Sequence, residues 1–317
     1  MERNLNKNVN NSHPLNTSNW KEIDDSILEN FRFAEGRRFH NVEGIPYFLA
    51  NDKEEISRLQ MHHYLYKYIW QSIYSAPMHE KLTSGGLRVL DSGCGPGTWI
   101  LDMANSYNKS IFVGIDLSSS MFPSTINKNT PDNVVFLERN ILDGFPFPSE
   151  TFDFVHQGFM NLAFTENQWQ QVILDMVRIT KPGGWIEITE TDIETYFAGP
   201  LTKKFMKSYH DLLNIRGINP FIVTRIENFL QATNKVVDIH VEHKSTSLGS
   251  HGKKLGEFLS CNQWASISHA KAYFCEFMGI PIDDYDGFVE KIKKEYDNNK
   301  SYSKSYRIYG RKKSIKN

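Results

Sequence analysis

The stretch VLDSGCGPGTW, residues 89–99, constrains the fold more than any other part of this chain. An apolar run ends in Asp91, and Gly93, Gly95 and Gly97 follow at alternate positions before helical text begins. Glycines at this density keep Cβ atoms out of a turn and permit positive φ, so a ligand can lie against the backbone. The free N–H groups of the helix start then favour a carboxylate or another negative group. Taken alone, the string also fits a bland tight turn. A dinucleotide enzyme would carry G-x-G-x-x-G, and the third glycine of that pattern falls on Thr98.

The surrounding text supplies a frame. LRVLD (87–91), IFVGID (111–116), VVFLE (134–138), FDFVHQ (152–157) and WIEITE (185–190) read as buried strands. Thr165 with Gln168 predicts a capping box, and Trp169, Val172, Ile173 and Met176 follow at helical spacing. Lys181-Pro182-Gly183-Gly184 is expected to stop that helix. Strands alternating with helices imply βαβ units and a mostly parallel sheet with right-handed crossovers. Beyond Glu190, helices are expected at roughly 201–215 and 220–232. Strands are expected at VVDIHVEH (236–243) and YRIYG (306–310). Upstream, Asp52 and Glu55 form a capping-box-like start for a helix running to about Ile73. Its Ile56, Leu59, His63 and Trp70 fall roughly on one face. Residues 1–22 are rich in Asn and poor in large apolar side chains, which reads as a disordered tail.

Two further positions fit a nucleotide site. Asp116 ends the second strand of the series, about 20 residues after the glycines, where doubly wound folds hold ribose hydroxyls. In isolation it would read as a helix cap. Asn140 follows the third strand and is a candidate acceptor for the exocyclic amine of adenine, with Ile141 or Leu142 against the ring. A turn residue is the competing account.

Charge and cysteine content narrow the class. Lys plus Arg is 36 and Asp plus Glu is 37, which gives no electrostatic case for nucleic acid or a membrane surface. Cys94, Cys261 and Cys275 form no CxxC pair, against a disulfide framework or zinc site. No run approaches the ~18 apolar residues of a membrane span, and the N-terminus lacks a secretory run. These features predict a cytoplasmic protein. The basic stretch Lys300 to Lys316 keeps nuclear import open, beside its plainer reading as a last strand and solvated end.

Taken in order, VLDSGCGPG, VGIDLS, FPFPSETFDFV and ITKPGGWIEI resemble the class I S-adenosylmethionine (SAM)-dependent methyltransferases over about 87–190. GRRFHNV…PYFLANDKEEISRLQMHHYLYKYIW ahead of them, and YRIYGRKK at the end, are similar to the fungal methyltransferases grouped with regulators of secondary metabolism. The resemblance implies an α/β, Rossmann-like sheet of seven mostly parallel strands, the last antiparallel, with helices on both faces. One domain would then span 23–317: a helical lid at 35–80, a SAM-binding core at 87–190, and helices with the last two strands at 191–312. Asp91, Gly93, Gly95 and Gly97 would cradle the amino-acid end of SAM, and Asp116 would take the ribose. Asn140 stands where the family usually has an acid. Gln157 and Gly158 match the position lining the methyl-donor pocket.

A sulfonium methyl is already activated, so positioning dominates and a base is needed only for a protonated acceptor of high pKa. His156 and Glu190, at strand ends, are the candidate bases. No metal is expected: His62 and His63 are adjacent and would point about 100° apart on a helix. Glu190, Asp192 and Glu194 read as an acidic surface loop. FVHQGFMN stands where methyltransferases of nucleobase amines carry an NPPY-type sequence, which disfavours DNA. The acceptor, small molecule or protein, is left open. Rival classes are a dinucleotide oxidoreductase and a silent SAM-binding protein acting through a regulatory partner. The helix after Asp52 is expected to lie over the cleft as a lid with Tyr47 and His63 facing it, the alternative being a helix on the sheet's far edge.

Overall fold

The computed structural model describes residues 31–34, 37–40, 46, 47, 49–123 and 130–314. The expected tail, 1–22, lies outside them. A short antiparallel pair, β1 (Phe31–Ala34) and β2 (Arg37–His40), precedes α1 (Lys53–Trp70) and α2 (His79–Ser84). Then come β3 (Arg88–Ser92), α3 (Thr98–Ser106), β4 (Ile111–Asp116), β5 (Val134–Glu138), β6 (Phe152–Gly158), α4 (Glu166–Ile179) and β7 (Thr180–Thr191). The chain continues through α5 (Pro200–Ile215), α6 (Val223–Ala232), β8 (Val236–Ser247), α7 (Lys253–Ile267), α8 (Lys271–Met278), α9 (Tyr285–Asn299) and β9 (Tyr302–Lys312).

Seven strands form one sheet in the order β5-β4-β3-β6-β7-β9-β8. The first five are parallel, and β9 lies antiparallel between β7 and β8. The expected Rossmann-like α/β sheet with an antiparallel last strand is therefore present. Chain order reverses at β3, flanked by β4 and β6. Open α/β sheets hold their ligands in the crevice at the carboxyl ends of such strands.

Alternation along the strands feeds two core layers. Leu90, Val113, Val155 and Ile186 pack against Trp169, Val172, Ile173 and Met176 of α4 on one face. Val89, Phe112, Phe154 and Trp185 meet Leu82, Ile100 and Met103 on the other. A third cluster joins mainly helices: Tyr66 and Trp70 of α1 with Phe205, Leu212, Leu259, Phe274, Phe288 and Ile292 from α5 and α7–α9.

Local signals were realised in part. Thr165 and Gln168 form both arms of the capping box on α4. At α1, Asp52 accepts from the Glu55 N–H at 3.1 Å, but the Glu55 carboxylate turns to Arg58 (2.6 and 2.8 Å) instead of reaching back. A guanidinium one turn along is a stronger partner for a buried carboxylate than a backbone N–H. Lys181–Gly184 does not follow the helix as a loop: α4 ends at Ile179 and these residues open β7, across a bulge from Phe152 and Phe154. Likewise, the stretch after Lys300 is strand, with Arg311 on Asp238 and Lys312 donating to the Thr180 carbonyl. Among the described residues no helix is long and apolar enough to cross a membrane.

Candidate active site

At the switch point, β3 ends in Asp91 and Ser92 and the chain turns through Gly93, Gly95 and Gly97, all at positive φ, into α3. The three glycines do different work. A Cβ on Gly95 (φ +50) would meet only Leu59 Cδ1, at 3.9 Å, across open space. A Cβ on Gly93 would strike Met160 at 2.5 Å, and one on Gly97 would strike the Phe136 ring at 2.6 Å. Gly97 is thus a packing and helix-cap glycine, and it is not among the residues that line the cavity.

A cavity opens above this turn. Asp91, Gly93, Cys94, Gly95, Asp116, Leu117, Met121, Asn140, Ile141 and Leu142 line one side, and Leu59, His62, His63 and Tyr66 of α1 line the opposite one. Tyr47 and His63 both border it, and so does Lys67 of α1. His63 and Lys67 both reach Asp102 of α3, at 3.0 and 2.7 Å, tying the two helices across the opening.

Two carboxylates sit on the floor. Asp116 accepts the Gly95 N–H (2.8 Å) and the Ser118 N–H (3.1 Å), and its burial pushes its pKa up to about 6 against those bonds. Asp91 pairs with His156, whose Nδ1–H donates to Oδ1 at 2.8 Å while its ring stacks on Trp99 at 3.9 Å. Asn140 also lines the cavity, and its Oδ1 accepts the Leu142 N–H at 3.0 Å, so its turn role is real.

Two expected residues sit elsewhere. Gln157 is buried on the other face of β6, its Oε1 accepting from Ser92 Oγ at 3.0 Å, while Gly158 takes the cavity position. Successive strand residues face opposite ways, so only one of the adjacent pair His156 and Gln157 can look inward. Glu190 is fully buried outside the cavity lining and belongs to no surface loop. It accepts the N–H groups of Met160 (2.6 Å) and Asn161 (3.3 Å), and burial raises its pKa to about 8. It buttresses the loop after β6. Asp192 accepts from Tyr196 and Glu194 pairs with His210, so the three acids diverge.

A second cavity adjoins the first and shares Tyr47, Leu59, His62, Tyr66 and Phe159 with it. Its remaining wall includes Arg58, Asn161, Asp192, Glu194, Phe205, Tyr209, Asn262 and Trp264. Sequence reading missed Arg58, Phe159 and Asn262. Asn262 lies 204 residues from Arg58, and no local pattern signals their contact.

Residues 89–184 match the family model described as methyltransferase domain. With the sheet order and the glycine turn, that match supports a SAM-dependent methyltransferase, an enzyme moving a methyl group from SAM to an acceptor. Fungal proteins are among its relatives. It is 26% identical to N-methyltransferase gliN of Aspergillus fumigatus over 84% of this chain and 96% of that protein. It is 24% identical to N-methyltransferase verN of Clonostachys rogersoniana over 82% and 90%. To the protein-methionine methyltransferase laeA of Emericella nidulans it is 29% identical, over 54% of this chain and 43% of that one.

Proposed function

We propose that this enzyme methylates a nitrogen of a small, largely apolar molecule held in the second cavity. The observation that carries the reading is the shared wall: Tyr47, Leu59, His62, Tyr66 and Phe159 border both the cofactor-side cavity and its neighbour. Such a pair of chambers holds donor and acceptor at one junction, and positioning of that kind is the main catalytic term for an activated methyl. The names of gliN and verN support nitrogen as the target. The aromatic lining (Tyr66, Phe159, Phe205, Tyr209, Trp264) suits an apolar acceptor.

SAM fits the first cavity because the space beside Gly95 is one that a Cβ would fill. In this reading Asp91 binds the ammonium of the cofactor's amino-acid end, and the glycine turn faces its carboxylate. Asp116 accepts from ribose hydroxyls, and Ile141 and Leu142 cover the adenine while the free lone pair of Asn140 Oδ1 faces its amine. SAM brings a sulfonium-activated methyl. The chain orients the nucleophile and excludes water. His156, bonded to Asp91 and stacked on Trp99, acts as a positioning residue for that carboxylate and not as the base.

The test is methyl transfer from labelled SAM to a source-cell extract split by ultrafiltration. Label in a small-molecule product is expected, bonded to nitrogen by mass spectrometry. Label confined to protein would overturn the reading.

A further inference from the structure

The wall between the cavities carries one polar side chain whose orientation is fixed from behind. His62 Nδ1 lies 2.8 Å from Asn262 Oδ1. That atom is identified as the oxygen because Asn262 Nδ2 donates to the Arg58 carbonyl at 3.0 Å, while Arg58 Nη1 donates to Oδ1 at 3.2 Å. An amide oxygen only accepts, so His62 must donate through Nδ1–H and its Nε2 carries a lone pair. Among the described residues Nε2 has no hydrogen-bond partner, and the ring, which borders both cavities, is wedged against Tyr66 (4.6 Å) and Phe159 (4.3 Å).

We propose that His62 is a catalytic residue whose Nε2 accepts a hydrogen bond from the acceptor's N–H, and that Asn262 is the positioning residue that fixes its tautomer. This rests on the second cavity being the acceptor site. The hydrogen bond turns the nitrogen lone pair toward the donor cavity. As the N–CH₃ bond forms and the S–CH₃ bond breaks, the electron pair goes to sulfur and positive charge develops on nitrogen. The N–H···Nε2 bond therefore becomes charge-assisted and strengthens through the step. The proton stays on the methylated nitrogen and leaves with the product. His62 has no need to be a strong base: burial, then the nearby Arg58 charge, hold its pKa down to about 3, so it is a neutral acceptor across the working range. Arg58 is ion-paired with Glu55, which offsets the field it exerts on a developing cation.

Two readouts test this. In the complex with S-adenosylhomocysteine, two-bond ¹⁵N–¹H spectra of histidine-labelled protein, with His62 assigned through His62→Gln, should show the Nδ1–H tautomer. Asn262→Asp should retain that tautomer and Asn262→Leu should lose it. An Nε2–H tautomer in the wild type would overturn the proposal. On the small-molecule acceptor fraction, His62→Leu should lower kcat ~100-fold, the usual loss for one preorganised hydrogen-bonding group. S-adenosylhomocysteine affinity should stay within about threefold, because a group engaged mainly in the transition state contributes little to ground-state binding. His62→Gln, which keeps an acceptor oxygen, should recover part of that loss. Asn262→Leu should cost about tenfold, as second-layer supports do, and Asn262→Asp should restore it. Wild-type transfer with an equally active His62→Leu would overturn this inference and spare the acceptor reading. A wild type that labels only protein would overturn both.

Discussion

At the scale of single residues, three glycines that look equivalent in the sequence part company on what lies beside them. Gly95 borders the cavity and Gly97 borders a core ring, so the same substitution should fail in two distinct ways. Gly95→Val adds bulk where only Leu59 is near, leaving mainly the strain of positive φ, about 1–2 kcal/mol. Its fold should survive, and calorimetry should find binding of S-adenosylhomocysteine abolished. Gly97→Val drives a side chain into Phe136 and should cost about 2–4 kcal/mol from overpacking and positive φ together, read by denaturant unfolding. Normal cofactor binding by Gly95→Val would make the whole turn structural. The same logic separates His156 from Gln157. Neighbours in sequence, they face opposite sides of β6, one onto Asp91 and the cavity, the other onto Ser92.

At the scale of elements, legibility followed locality. Short, nearly continuous apolar runs announced the parallel strands, because a strand buried on both faces leaves its mark within a few residues. The capping box of Thr165 and Gln168 was equally local. Reading failed where a contact spans the chain. Nothing near Glu190 reveals that Met160 and Asn161 would point their N–H groups at it. Nothing near Asn262 reveals α1. The ends of β7 and β9 were drawn short because Lys181–Gly184 and Tyr302–Ser305 look like turn or polar text, yet the first stretch lies within β7 at a register shift and the second pairs with β8. The structure gives α1 a clear place, with one end tied by Arg58 to Asn262 and the middle by His63 and Lys67 to Asp102. The Lys67–Asp102 pair is a partly exposed ion pair, of the kind that opens locally at low cost. We expect α1 to move aside for cofactor entry and close over it. Hydrogen exchange should then show S-adenosylhomocysteine protecting amides in 53–70 together with those of 93–97. Protection confined to the glycine turn would mean that α1 is a fixed wall.

At the scale of the whole molecule, buried carboxylates set how stability responds to pH, and they act in opposite senses. Asp52, paired with Arg37, is held down near 2. It contributes stability that is present above the ordinary carboxylate range and lost as pH falls through about 2. Glu190 works the other way. Its ordinary value is 4.5 and burial lifts it to about 8 in the fold. Between those values the native state keeps a proton that the unfolded chain has released, so stability declines as pH rises from about 4.5 and levels off above about 8. Asp116, raised to about 6, adds to the same decline at its acidic end. At about 1.4 kcal/mol per unit, the Glu190 shift caps its effect at roughly 5 kcal/mol, a shift already net of the N–H bonds that favour the charged form. Glu190→Gln keeps an acceptor oxygen for the Met160 N–H and removes the titration. The unfolding free energy of the wild type should therefore fall between pH 6 and 8, while that of Glu190→Gln stays nearly flat. The variant should be the more stable of the two at pH 8. Met160, whose N–H Glu190 accepts, is the side chain packed against Gly93, so this carboxylate joins the end of β7 to the shape of the glycine turn. Parallel pH profiles for wild type and Glu190→Gln, measured by urea unfolding, would show that Glu190 is ionised throughout and that its charge is carried by the two N–H groups alone.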